Sequence, residues 1–190
     1  MTETKQPKST RTRLIIGGAA AAVVAAGAIG VVSVNAQNPD PGARTPVVVD
    51  AADANLTTST HLSIAAATKA AQAALDAAVK ENQHVTVAVV DRNGNTVVVL
   101  RGDGAGPQSY DSAQQKAFTA VSWNATTSTL AKRLDSAPHL ADIPGTLFLA
   151  GGAPVDAKGG APIAGIGVAG APSGDLDEKF AQEGVAALAN

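Results

Sequence analysis

The chain has 190 residues, enough for one ordinary domain, and carries 14 basic and 16 acidic residues for a formal net charge of −2. It is 45% hydrophobic but only 3% aromatic, so a core has to be built from Ala, Val, Ile and Leu. It contains no cysteine, which excludes disulfides, thiolate metal sites, thiol nucleophiles and Cys-attached haem.

Residues 1–36 read as a signal peptide. Lys5, Lys8, Arg11 and Arg13 form a positive n-region, Leu14 to Val34 follows without a charge, and Val34 and Ala36 fit the small-residue rule for cleavage after Ala36. The alternative is an uncleaved anchor over residues 14–34, since about 20 apolar residues span a bilayer. Both readings place residues 37–190 outside the cytoplasm, secreted or at the cell surface. Without the leader, 10 basic and 15 acidic residues remain, a net charge of −5. Such a domain is not expected to bind nucleic acid or an anionic membrane.

Residues 37–56, with three prolines and small polar residues, read as a linker, with Val47–Val49 as a short edge strand. Residues 57–190 form the domain. "TTSTHLSIAAATKAAQAALDAAVKEN" predicts a helix capped by Ser or Thr near 58–60, with Leu62, Ala66, Leu75 and Val79 recurring on one face. "HVTVAVVDRNGNTVVVL" predicts a hairpin, because two β-branched runs flank Asn93-Gly94, the preferred pair for a type I′ turn. After the loop "RGDGAGPQ", a second helix is expected from Ser109 to Asn124, with Lys116, Thr119 and Trp123 on one face. A third, shorter helix covers "TTSTLAKRL". "TLFLAGG" reads as a strand, and "APVDAKGGAPIAGIGVAG" as a second hairpin turning at Lys158-Gly159-Gly160. "SGDLDEKFAQEGVAALA" closes the chain as a helix with acidic residues in its first turn, where the helix dipole favours them. The order predicts an α+β domain: helices packed on a mainly antiparallel sheet of about five strands.

"GIGVAG", residues 165–170, fits the G-x-G-x-x-G fingerprint of dinucleotide-binding folds. The context rejects that reading. No second strand follows to carry an acidic residue to a ribose, and the next helix begins beyond Pro172. As a strand, it points Gly165 and Gly167 to one side and Ile166 and Val168 to the other. The bare side admits a close neighbour: a helix, another subunit or a planar ligand.

Taken in order, "LSIAAATKAAQAALDAA", "VTVAVVDRNGNTVVVLRGDGA", "SAQQKAFTA", "TLFLAGGAPV" and "GGAPIAGIGVAGAPSGDLDEKFAQEG" resemble the GlcG/HbpS-like haem-binding family, over about residues 56–190. The resemblance implies a profilin-like α+β fold, assembly into homo-oligomers and haem bound near subunit interfaces. It also implies a role in haem or redox sensing or scavenging, with secreted members serving as accessories to a membrane sensor kinase. A haem-degrading or other small-molecule enzyme of the same fold is the alternative.

A porphyrin needs an apolar slot, cations for its propionates and a donor to iron. The candidate donors are His61, His84, His139 and Tyr110, of which His61 at the helix start is favoured. Thr146, beside Pro144-Gly145, is a weaker hydroxyl donor suited to a labile site. Lys116 is the candidate propionate partner, with Arg101 and Arg92 as alternatives. Asp175 and Glu178, at i and i+3, are the candidate ligands of a surface iron. G-x-S-x-G, H-E-x-x-H and Walker motifs are absent.

Overall fold

A computed structural model describes residues 50–189; the signal-peptide, cleavage-site and Val47–Val49 expectations lie outside them. Among the described residues, four strands form one antiparallel sheet in the order β2-β1-β4-β3. These are β1 (Thr86–Asp91), β2 (Thr96–Arg101), β3 (Gly152–Asp156) and β4 (Pro162–Ala169). α1 (Ile64–Lys80) and α4 (Gly174–Ala186) cover one face, and α2 (Ser109–Trp123) covers the other. α3 (Thr127–Ala131) follows α2 and runs into short 3-10 turns.

The expected α+β class holds, with one strand fewer. "TLFLAGG" is irregular up to Gly151. It runs along α2 instead of joining the sheet: the Leu147 N–H donates to Thr119 Oγ1 at 2.8 Å, and Phe148 meets Trp123 edge-on at 5.3 Å. A backbone donor satisfied by a helix side chain has no need of a ladder partner.

The first helix begins later than expected. Its cap is Ser63, whose hydroxyl accepts from Ala66 N at 3.2 Å. Its buried face is also different: Ala67, Ala70, Ala71, Ala74 and Ala78 face the core, while Val79 is 60% exposed. Leu62 and Leu75 of the expected face pack at the edge of this core, but at its centre α4 approaches too closely for large side chains. A Cβ on Gly184 would lie 2.8 Å from the Ala70 carbonyl oxygen and 3.2 Å from the Ala74 Cβ. Only alanine fits across that gap.

The glycine strand has found its neighbour. Ile166 and Val168 join the core under α1 and α4, while Gly165 and Gly167 lie against the backbone of α2 at Ala117 and Ala113. The close neighbour is therefore the protein's own helix.

The first hairpin forms, but not with a type I′ turn, which would require positive φ at both Asn93 and Gly94. Gly94 has φ +86°, and Asn93 is not in that region. Asp91 decides this. Its carboxylate accepts from Asn93 N and Asn95 N, both at 2.8 Å, and from Asn95 Nδ2 at 3.1 Å, wrapping the turn around one side chain. Burial alone would raise this carboxyl. The hydrogen bonds from Asn95 and Asn93, together with the nearby His61, outweigh it and hold Asp91 below the usual value. Its stabilising contribution is thus present above the ordinary carboxylate range and lost as pH falls through its lowered pKa. Asp91→Ala is expected to cost about 1–2 kcal/mol at neutral pH. In chemical denaturation the gap to wild type should close at strongly acid pH.

Candidate functional site

Two regions and one buried layer hold the chemistry-bearing residues. The first region is the hairpin-tip end of the sheet. Phe118 of α2 lies under Gly94 and beside Gly145, and a cavity of about 170 Å³ opens there, lined also by Val90, Thr96, Gln114 and Gln115. Next in sequence stands Thr146, whose Oγ1 donates to the Ile143 carbonyl at 2.7 Å. Ile143 is itself 40% exposed, while Leu149, 59% exposed, lines a different cavity with Lys116, Ala171, Pro172 and Asp175. His61 belongs to the same end, close enough to Asp91 to influence its charge. It is exposed, and its Nε2 shares a 2.6 Å hydrogen bond with Ser59 Oγ. His61 is thus within electrostatic reach of Asp91 at the base of the hairpin turn, and Thr146 follows Gly145 near its tip.

Lys116 is placed differently. It is 4% exposed, and its Nζ donates to Asp177 Oδ2 at 2.8 Å and to the Val168 carbonyl at 3.0 Å. Asp177 also accepts from Ala171 N at 3.0 Å. Next to it, Glu178 accepts from Ser128 N at 2.9 Å, Ser128 Oγ at 2.5 Å and Gly151 N at 3.3 Å. This layer ties α2, α3, α4 and the start of β3 together, and among the described residues no buried side-chain N or O lacks a partner. Burial pushes the Asp177 carboxyl above its usual value despite the hydrogen bonds and charge of Lys116. Lys116 is therefore a committed structural cation, with two of its three N–H groups spent.

Asp175 and Glu178 are separated by the same packing: Glu178 points into this layer and Asp175 is exposed. Among the described residues no group of three or more His, Cys, Asp or Glu is arranged to hold a metal ion. His139 is exposed and pairs with Asp142 at 3.1 Å.

The second region is a cavity of about 420 Å³ at the opposite end of the sheet, lined by Leu75, Val79, His84, Arg101, Gly102 and Asp103, among others. The His84 Nδ1 lies 2.7 Å from the Asp103 carbonyl oxygen. A carbonyl only accepts, so the Nδ1–H donates to it, and in that tautomer Nε2 is the ring's acceptor. Leu75 and Val79 belong to the helical face picked out from the sequence. Their spacing, immediately before an imidazole, was the available signal for this cavity.

The profile of the family described as "Haem degrading protein HbpS-like" matches residues 62–186. No curated protein sequence matches the chain. Among solved structures, the chain is 73% identical to HbpS, covering 73% of this chain and 97% of that one with a TM-score of 0.71. A Streptomyces reticuli HbpS double mutant, with two glutamates changed to aspartate, is 71% identical over 75% of this chain and 97% of that one, with a TM-score of 0.73. The PduOC:heme complex is 26% identical over 67% of this chain and 95% of that one, with a TM-score of 0.62. The fold, the ordered motifs and these matches together establish that the chain belongs to the haem-related HbpS-like family.

Proposed function

We propose that this protein binds haem at the hairpin-tip end, as an exported, self-associating protein of haem sensing or scavenging. The observation that carries the site is the state of Thr146. Its O–H is already given to the Ile143 carbonyl, so the oxygen keeps lone pairs but no free proton. Exposed Ile143 accepts its hydrogen bond, and Phe118 lies beneath Gly145. That combination is an apolar surface with a weak oxygen donor, which suits haem that must be released again. His61 at the same end is a second donor. Bound haem would supply the iron and its redox chemistry; the chain supplies the donor oxygen and the apolar seat. Exposed apolar side chains around the site also favour its sharing between copies of the chain.

A hemin titration followed by the Soret band tests the reading. Wild type should give a shifted, saturating band. Thr146→Val should bind roughly tenfold more weakly, Thr146→Ser should restore binding, and His84→Ala should leave it unchanged. A spectrum identical to hemin in buffer overturns haem binding. Equal binding by Thr146→Val overturns the site. Loss of the Soret band with reductant and release of iron would favour the haem-degrading enzyme instead. Haem-dependent capture of a sensor kinase from membranes would support the accessory role.

A further inference from the structure

The cavity at the far end of the sheet is not used by the haem reading, and its lining is specific. Arg101 spends one guanidinium N–H on the Ala105 carbonyl at 2.6 Å and joins no ion pair among the described residues. Asp103, two residues on, joins none either, and its side chain makes no hydrogen bond among the described residues. The two charges therefore stand unneutralised at one rim. Beside them His84 offers Nε2 as an acceptor, its ring held by the Asp103 carbonyl and by the turn at Gly104, where a Cβ would come 3.0 Å from Nδ1. The apolar part of the lining is Leu75, partly buried against the core, with Val79, which is 60% exposed. Gly102 keeps the floor open: a Cβ there would meet Leu75 Cδ1 at 3.0 Å and the Val85 carbonyl oxygen at 2.9 Å.

We infer that this cavity is a second, haem-independent site for a small zwitterion with an apolar side chain, a free aliphatic amino acid. Its carboxylate pairs with Arg101. Its ammonium is received by Asp103 and His84 Nε2. Its side chain lies on Leu75 and Val79. A simple carboxylate would meet Asp103 as well as Arg101 and a simple amine would meet Arg101 as well as Asp103, so only a ligand with both charges satisfies the rim. A volume of about 420 Å³ is in the range of small-molecule sites.

Isothermal titration calorimetry of the purified protein with L-leucine tests this. N-acetyl-leucine, which lacks the ammonium, and leucinamide, which lacks the carboxylate, are the comparison ligands. Leucine should give a saturable heat, with each analogue at least about tenfold weaker. Arg101→Gln and Asp103→Asn should each weaken leucine by a similar factor, and Asp103→Asn should leave thermal unfolding and the hemin titration unchanged. No saturable heat with leucine up to about 10 mM, beyond the weakest millimolar affinities, overturns the inference. So does equal binding of all three ligands. Because the hemin titration is read on the same samples, failure here is distinguishable from failure of the haem reading.

Discussion

Gly167→Ala is expected to cost more than about 3 kcal/mol, a large share of the roughly 5–15 kcal/mol that holds an ordinary domain folded. The added methyl would be driven into the backbone of α2, at the Ala113 carbonyl oxygen and the Ala117 amide nitrogen. Neither atom belongs to a flexible side chain, so relief requires the helix to lift from the sheet. Ala113, Ala117 and Ala120, all fully buried, would then lose their contacts together. Gly165→Ala should behave alike, since its Cβ would strike the Ala117 carbonyl oxygen. Gly160→Ala is the control: in the turn between β3 and β4, its nearest neighbour is the Ala157 carbonyl oxygen at 3.7 Å, an ordinary contact. It should change stability by no more than about 0.5 kcal/mol. Urea denaturation followed by far-UV circular dichroism reads all three. A Gly167→Ala protein as stable as wild type would show that α2 does not sit this close to β4.

Lys116→Met is expected to destabilise the fold by about 3–5 kcal/mol, because it leaves the Asp177 carboxylate buried without its cation. Adding Asp177→Leu should recover part of that loss, since no unpaired buried charge then remains. Full recovery is not expected: the Val168 carbonyl loses its lysine donor and Ala171 N its acceptor. The pH dependence separates this from lost packing. Burial already raises the Asp177 carboxyl in the wild type, and removing Lys116 raises it further. For a raised acid, the protonated folded form is favoured, so stability is fully present below the ordinary carboxylate value of about 3.9. It is lost as pH rises through the folded-state value. The deficit of Lys116→Met relative to wild type should thus be largest at neutral pH and shrink toward acid. A deficit constant from pH 4 to pH 8 would mean that the ion pair contributes no electrostatic stability.

Much of the architecture was legible because it is local. The two hairpins, the helix from Ser109 and the closing helix follow from β-branched runs, turn residues and caps within a few positions of one another. Two of the departures have partners distant in the chain as their cause, and the turn at Asn93-Gly94 is decided locally, by Asp91. "TLFLAGG" has strand composition, but its Leu147 amide is taken by Thr119, 28 residues away. Asn93-Gly94 suits a type I′ turn, but the Asp91 carboxylate selects another. Of the stripe Leu62–Leu75–Val79, Leu62 and Leu75 pack at the edge of the core, but Gly184 brings α4 so near that the centre of the face is alanine.

The candidate sites divide the same way. Thr146 and His61 are marked by residue type and by their places beside a Pro-Gly pair and a helix start, yet only the fold shows that Thr146 gives its proton to Ile143 and that His61 acts on Asp91. Lys116 has the chemistry of a propionate partner, and its partner is Asp177, 61 residues on. By itself the sequence determined the α+β class, the haem-related family and the strand nature of "GIGVAG", because periodicity, turn chemistry and ordered motifs are written in neighbouring residues. Only the tertiary structure decided what lies on that strand's glycine face, which lysine is committed to an ion pair, and which apolar stripe lines a cavity. Those outcomes depend on how closely two backbones approach and on which buried charges meet, and such distances are set by the whole packed domain.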